Sequence, residues 1–262
     1  MAAPEQIVSR ANPLLVQLRR LSQDSAAYRK QGQVWLEGEH LCSALATRGG
    51  AAAVAVLTES AWASAPLRAL AAAAARVVRV PDVVFASISA LESPAAIGFV
   101  IELPTQAPID ATAPTVVLDR VQDAGNVGSI LRSAAVFGVT QVIALKGSAA
   151  LWSPKVLRAG MGAHFALHLI EGASEAVLSG LRAPLIATSS HAQASLPLAT
   201  LPQPCAWVFS HEGRGVSDAL RARCALEVRI PQPGGEESLN VAAAAAVCLY
   251  ESARRRGQPA PQ

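Results

Sequence analysis

The sequence predicts an α/β protein: a mostly parallel sheet covered by helices on both faces, preceded by a smaller α/β domain. Three observations carry this prediction. Strand-like and helix-like segments alternate through residues 115–256, and the strands there are near-continuous runs of Val, Ile and Leu. The stretch "LPTQAPIDATAP", residues 103–114, replaces periodic hydrophobicity with Pro, Thr and Ala. Continuous apolar strands are buried on both faces, as in parallel sheets, whereas Pro-rich stretches of this kind mark linkers. The expected organisation is a first domain at 1–102, a linker at 103–114, a second domain at 115–256 and a disordered tail, "GQPAPQ", at 257–262.

In chain order, the first domain reads as a helix in "NPLLVQLRRLSQDSAAYRK", a strand in "QVWLEGE" and a helix from His40 to Arg48. Strand "AAVAVLT", an alanine-rich helix around "APLRALAAAAA", and strands "RVVRV" and "IGFVIE" follow. After the linker come strand "TVVLD", a helix from Val127 to Phe137, strand "TQVIAL", helix "SPKVLRAGM", strand "FALHLI" and helix "ASEAVLSGLR". Strands "PLIATS" and "AWVFS", helix "SDALRAR", strand "LEVRI" and a last helix from about Ser238 to Arg255 complete the chain.

Composition narrows the functional classes. With 262 residues and 52% hydrophobic content, the chain can bury a sizeable core. No segment approaches the roughly 20 uninterrupted apolar residues of a membrane span, and "MAAPEQIVSRANP" lacks a basic-then-apolar signal pattern, so a cytoplasmic location is expected. Cys42, Cys205, Cys224 and Cys248 contain no C-x-x-C pair; they read as buried free thiols rather than a zinc site or a disulfide framework. The net charge of +3, carried almost entirely by arginine, permits a nucleic-acid partner.

In parallel sheets, ligands bind at loops beyond the carboxyl ends of the strands, and three such loops stand out. In "DRVQDAGNVGSILRSAAVFGV", residues 119–139, the spacing is N-x-G-x-x-x-R rather than the G-x-G-x-x-G of a dinucleotide fold. In "FSHEGRGVSDAL", residues 209–220, Gly213 and Gly215 flank Arg214 just after an apolar strand; the bland alternative is an ordinary glycine-rich turn with a solvated Glu212. In "IPQPGGEESLNVAAAAAVCLYE", residues 230–251, a Pro- and Gly-rich loop leads into Ser238 and Asn240, either of which could simply be a helix N-cap.

Taken together, the three loops resemble the sequence motifs of the SpoU (TrmH-type) branch of the SPOUT superfamily, S-adenosylmethionine-dependent RNA ribose methyltransferases. The first motif is met by Asn126, Gly128, Arg132 and Ala134; the second by Glu212, Gly213 and Gly215; the third by Ile230, Pro231, Gly234, Ser238, Leu239, Asn240 and Val241. Gln232 stands where Met is usual, and Asp123 where Asn is frequent. "SRANPLLVQLRRL" and "YRKQGQVWLEGEHL" are similar to the ribosomal-protein-like RNA-binding domain that many such enzymes carry in front.

The resemblance implies a SPOUT parallel sheet whose C-terminal segment forms a trefoil knot, S-adenosylmethionine as cofactor and a homodimer sharing its active site. It implies a cofactor pocket at Phe209, Ser210, Gly213, Ile230, Gln232, Ser238 and Leu239, and a catalytic set of Arg132, Asn126, Glu212, Ser238 and Asn240. Structured RNA is the implied partner, ribosomal RNA ahead of transfer RNA; the alternatives are a tRNA 2′-O-methyltransferase and a non-catalytic RNA-binding or ribosome-assembly factor.

The side chains suit that chemistry. Methyl transfer from a sulfonium to a 2′-hydroxyl is an in-line displacement that needs alignment and help in losing a proton. A guanidinium is a poor base at neutral pH, so Arg132 is expected to stabilise the developing alkoxide and hold the adjacent phosphate, while its role as base stays open. Asn126 is expected to orient Arg132 and the ribose, Ser238 and Asn240 to bind ribose or phosphate, and Glu212 to hold an arginine or a hydroxyl. Arg10, Arg19, Arg20, Arg29 and Lys30 form the candidate RNA-facing set. No metal site is expected: His164 and His168 are spaced four apart, but in a strand-like segment without a third ligand. His211 beside Glu212 reads as packing or exposed.

Overall fold

The computed structural model describes residues 4–211, 215–234 and 239–256. The chain forms two compact units, Met1–Thr105 with Trp152–Phe165, and Gln106–Leu151 with Ala166–Gln262. The break after Thr105 falls in the proline-rich stretch. Trp152–Phe165, inside the expected second domain at 115–256, groups by its contacts with the first unit.

The first unit begins with β1 (Glu5–Gln6), then α1 (Pro13–Gln23) and α2 (Ala27–Gln31) in place of one expected helix. Asn12 caps α1 by accepting from the Leu14 N–H at 2.9 Å, with Pro13 in the first turn where its missing N–H costs nothing. The break has a local cause: the Asp24 carboxylate accepts from the Ala26 N–H at 2.8 Å, a turn that competes with the helix. Next come β2 (Gln33–Glu37), α3 (Glu39–Thr47), β3 (Ala52–Thr58), α4 (Glu59–Trp62), α5 (Ala65–Ala71), β4 (Ala74–Val80), α6 (Asp82–Ala86) and β5 (Ile97–Glu102). The alanine run does not stay helical to its end. Ala74 pairs with Ala52 of β3, and strand pairing overrides alanine's weak preference. The sheet order is β1-β4-β3-β5-β2, with β5 antiparallel to both neighbours. Gly98 of β5 lies against the Trp35 indole, where a built Cβ would come within 2.2 Å.

The second unit is the parallel part. It runs β6 (Thr115–Asp119), α7 (Ala124–Val136) and β7 (Gln141–Leu145), leaves for α8 (Pro154–Gly160) of the first unit, and resumes at β8 (His168–Ala173). Within the first unit, Met161 offers its carbonyl to His40 Nε2 at 3.1 Å, and Gly162 approaches Ala44. The second unit continues with β9 (Leu185–Thr188), β10 (Ala194–Ser195), β11 (Ala206–Ser210), α9 (Asp218–Arg221), β12 (Leu226–Arg229) and α10 (Val241–Arg256). Its seven strands are ordered β10-β12-β9-β11-β6-β7-β8, every pairing parallel. The core is the strand set the composition announced: Val116, Val117, Leu118, Val142, Ile143, Ile186 and Val208 are completely buried.

Two expected elements differ. Residues 165–170 are not one strand, since a 3-10 turn occupies Ala163–Ala166 before β8 begins at His168. "ASEAVLSGLR" makes a 3-10 helix, Glu175–Gly180, rather than an α-helix, burying only Leu178. Three turns of α-helix need an apolar stripe to hold them, and one buried side chain does not supply it.

Candidate active site

The chain steps outward from β6 to β8, then crosses to place β11, β9 and β12 on the other side of β6. Loops beyond the carboxyl ends of β9, β11 and β12 therefore converge, and together with the start of α10 they enclose a cleft of about 330 Å³, in the small-molecule range. Its lining includes Thr188, Ser189, Ser190 and His191 after β9; Ser210 and His211 after β11; Ile230 and Gln232 after β12; and Leu239 and Val241 at α10. Thr188, Ser189, Ser190 and Ser210 bring hydroxyl side chains to the lining, and Val216, Ile230, Leu239 and Val241 bring apolar ones. That combination suits a ligand with both a flat apolar ring and hydrogen-bonding groups.

Four of the expected cofactor residues, Ser210, Ile230, Gln232 and Leu239, come together in this cleft. Phe209 does not offer its side chain there. It is completely buried and stacked on Trp207, with ring centroids 6.1 Å apart and planes 8° from parallel. Alternation along β11 turns neighbouring side chains to opposite faces, so the side chains of Ser210 and Phe209 cannot both face a ligand, and the contact expected of Phe209 is a main-chain one. Glu212, Gly213 and Ser238 lie outside the described residues.

Asn126 and Asn240, 114 positions apart, meet: Asn240 Nδ2 donates to Asn126 Oδ1 at 3.1 Å. Asn240 also caps α10, its Oδ1 accepting from the N–H groups of Ala242 and Ala243 at 3.0 and 3.3 Å. The Asp123 carboxylate caps α7 by accepting from the Asn126 N–H at 2.7 Å. Both asparagines thus sit at helix N-termini, where partial positive charge favours an anion. Arg132 projects from α7, exposed, and makes no hydrogen bond or ion pair among the described residues. The Asn126 amide oxygen accepts from Asn240. Asn126 and Arg132 lie six apart on α7, roughly 120° from each other around the helix.

Two features of this region escaped the motif reading. One is the run from Thr188 to His191, polar immediately after an apolar strand, which is the pattern that marked the other loops. The other is Asp119, at the end of β6 and only 2% exposed, paired to Arg120 by two hydrogen bonds of 2.8 and 2.9 Å. That pairing holds the Arg120 guanidinium more firmly protonated than usual.

In the first unit, Arg20, Arg29 and Lys30 are exposed on α1 and α2, with the Arg29 guanidinium 5.2 Å from the Tyr28 ring centre. Arg10 is exposed and reaches the Val83 carbonyl at 3.4 Å. Arg19 is committed elsewhere, donating to the carbonyl and hydroxyl of Ser87 at 3.0 and 3.4 Å. The histidine pair also separates: the His164 ring packs 5.2 Å from Trp152, and His168 bonds the Ala107 carbonyl at 3.1 Å. All four cysteines are free; burial pushes Cys205 and Cys224 up to about 11 and Cys42 and Cys248 higher still.

An all-parallel sheet with a small-molecule cleft at its carboxyl edge, walled in part by the start of α10, defines a class of protein: an α/β fold that binds a small ligand at the ends of its strands. The family is more specific. Residues 113–250 match the SpoU rRNA Methylase family, and the chain belongs to it. It is 31% identical to an uncharacterized tRNA/rRNA methyltransferase of Synechocystis over 95% of this chain and 94% of that protein. It is 34% identical to the Bacillus subtilis 23S rRNA (guanosine(2553)-2′-O)-methyltransferase RlmP over 63% of this chain and 68% of that one. Among solved structures it is similar to the SpoU methyltransferase AviRb from Streptomyces viridochromogenes in complex with the cofactor AdoMet, with a TM-score of 0.82 and 25% identity, covering 94% of this chain and 99% of AviRb. No described helix is long and apolar enough to cross a membrane.

Proposed function

We propose that this protein transfers a methyl group from S-adenosylmethionine to a ribose 2′-hydroxyl of structured RNA, and that ribosomal RNA is the substrate. The observation that carries the reading is the cleft at the carboxyl edge, lined by residues of the second and third motifs and joined to the first motif through the bond between Asn126 and Asn240.

The donor set fits the cofactor. Ile230, Leu239 and Val241 supply apolar surface for an adenine, while Ser210, Gln232 and the hydroxyls of Thr188 to Ser190 offer polar partners for a ribose and an amino-acid moiety. Bound there, S-adenosylmethionine supplies an electrophilic methyl group on a sulfonium. The chain's own residues do the rest. Arg132, always cationic, stabilises the alkoxide developing at the 2′-oxygen and holds the neighbouring phosphate. Asn240 fixes the N-terminus of α10 and, through Asn126, that of α7, so the anion-favouring ends are set in register. Glu212, Gly213 and Ser238 complete the set by their places in the motifs.

The first unit serves as the RNA-binding module, with Arg10, Arg20, Arg29 and Lys30 contacting phosphates; Arg19 acts structurally through Ser87. The C-terminal segment forms the family's knot, and the protein works in the cytoplasm as a homodimer. Exposed Val136 on α7 and Val247 and Tyr250 on α10 supply apolar surface for a second copy.

Calorimetric titration with S-adenosylmethionine and mapping of ribose methylation in RNA from cells lacking the protein test the proposal. Cofactor binding together with a lost 2′-O-methyl mark in ribosomal RNA is expected. RNA binding without cofactor binding would replace it with an assembly-factor role, and a mark lost from transfer RNA would reassign the substrate.

A further inference from the structure

We infer that Asp119 is a positioning residue for the cofactor cleft: one residue holds both ends of the loop after β11, and Arg120 holds its carboxylate in place. The inference rests on the methyltransferase reading above.

Asp119 and Ser210 are paired residues at the ends of the adjacent strands β6 and β11. Beyond that pair the ladder stops, and the chain after Ser210 forms a wall of the cleft through His211, Gly215 and Val216. The loop is tied back twice to the same residue. The Asp119 carbonyl accepts the His211 N–H at 3.2 Å where the loop leaves the strand, and the Asp119 carboxylate accepts the Ser217 N–H at 3.3 Å where it enters α9. Gly215 closes the turn by donating to the His211 carbonyl at 3.0 Å, with φ at +62°.

The carboxylate is nearly inaccessible, so its burial has to be offset by charge and by hydrogen bonds. Arg120 supplies both in a bidentate fork. To turn its guanidinium back onto the preceding residue, Arg120 adopts φ +56°, a conformation uncommon for any residue with a side chain. Gly147 leaves room for the result: a built Cβ there would sit 3.2 Å from Arg120 Cγ. An unusual backbone, a close-approaching glycine and a half-exposed arginine all converge on one buried carboxylate. The structural outcome of that convergence is that His211 and Ser217, on either side of the loop, are both anchored to one residue.

A residue that acts by placing the loop affects cofactor capture more than the chemical step. Wild type, Asp119→Asn and Arg120→Lys are to be compared by calorimetric titration with S-adenosylmethionine, by steady-state methylation, by RNA mobility shift and by thermal unfolding. In Asp119→Asn the Kd and KM for S-adenosylmethionine are expected to rise about tenfold or more, the loss that follows withdrawal of a charged hydrogen-bond partner, with kcat at saturating cofactor and RNA affinity unchanged. Arg120→Lys keeps the charge and loses the fork, so a smaller rise in KM with the same kcat is expected; it carries the test alone where Asp119→Asn does not fold. Folded variants that bind S-adenosylmethionine as wild type does, or that lose kcat and not KM, overturn the inference alone. A wild-type chain that fails to bind the cofactor overturns the methyltransferase reading and the inference with it.

Discussion

The two ends of the seven-stranded sheet hold cavities of similar size and opposite chemistry. At the carboxyl edge, Thr188, Ser189, Ser190 and Ser210 are among the residues that line a cleft of about 330 Å³. At the amino edge, Pro114, Val139, Cys205, Trp207 and Leu249 wall a cavity of about 260 Å³. There the polar groups serve the protein: Trp207 Nε1 donates to Ser252 Oγ at 2.9 Å, and Arg256 donates to the carbonyls of Phe137 and Gly138 at the end of α7. Helix α10 takes part in both, with Asn240 at its start and Ser252 and Arg256 in its last turns. Size does not separate a ligand site from a packing void here. The polarity of the strands does, because parallel sheets bind their ligands outside the carboxyl ends of the strands.

If the carboxyl edge is the catalytic end, substitutions there should break turnover, and substitutions at the amino edge should change only stability. The largest effect is expected for Arg132→Ala. Removing a group that stabilises charge developing only in the transition state should lower methyl transfer by on the order of 10²–10³, with S-adenosylmethionine affinity unchanged because Arg132 does not line the cleft. Incorporation of labelled methyl into RNA measures it, and wild-type turnover by this variant would end the assignment. Asn240→Ala comes second: it removes the α10 cap and the bond to Asn126 together. Stability should fall by about 1 kcal/mol, the usual cost of a lost N-cap, and methyl transfer should fall with it, though less than for Arg132→Ala. Urea unfolding paired with the same methylation assay separates the two losses.

That contrast was only partly visible in the sequence. The strands of the second unit were, because buried parallel strands are continuous apolar runs, and the edge to search followed from them, since Ser210, Ile230, Gln232 and Leu239 lie at or beyond strand ends. What spacing could not show was the meeting of Asn126 with Asn240 across 114 positions, a product of topology alone. Asp119 was invisible for another reason: a terminal acid on a strand reads as a solvated loop residue until its burial and its Arg120 partner are seen. Phe209 was placed in the cofactor set through its main chain, and the core position of its side chain follows from strand alternation. In the first unit, the long helix expected from residues 12–30 broke at Asp24, where a side-chain-to-backbone hydrogen bond outweighed periodicity.

The amino edge offers the matching control. Trp207→Phe keeps the ring packed against Phe209 and deletes the donor to Ser252 Oγ. A buried hydroxyl left without that partner costs about 1–2 kcal/mol, so the urea midpoint should drop while S-adenosylmethionine affinity and kcat hold. A variant as stable as wild type but slow in methyl transfer would contradict the division of labour between the two ends.

The smallest effect is expected at Glu251, on the α10 turn beyond the amino-edge cavity. Its carboxylate accepts from Arg254 Nε and Nη2 at 2.9 and 2.7 Å and from Arg255 Nε at 2.7 Å, while Arg255 Nη2 also bonds the Leu196 carbonyl at 2.7 Å. The hydrogen bonds from Arg254 and then Arg255 pull the carboxyl from 4.5 down to about 2. A group whose pKa is lowered on folding binds fewer protons in the folded state, so its stabilisation is complete above the unfolded value and disappears as acid protonates it in the fold. The pair is partly solvated, which limits the stabilisation to less than about 1 kcal/mol at neutral pH. Glu251→Gln should therefore unfold at lower urea than wild type at pH 7, and the gap should narrow as pH falls from 4.5 toward 2. A gap that stays constant across that range would show that the glutamate acts through packing and not through charge, leaving Arg255 to hold the 196–199 loop by its carbonyl contacts alone.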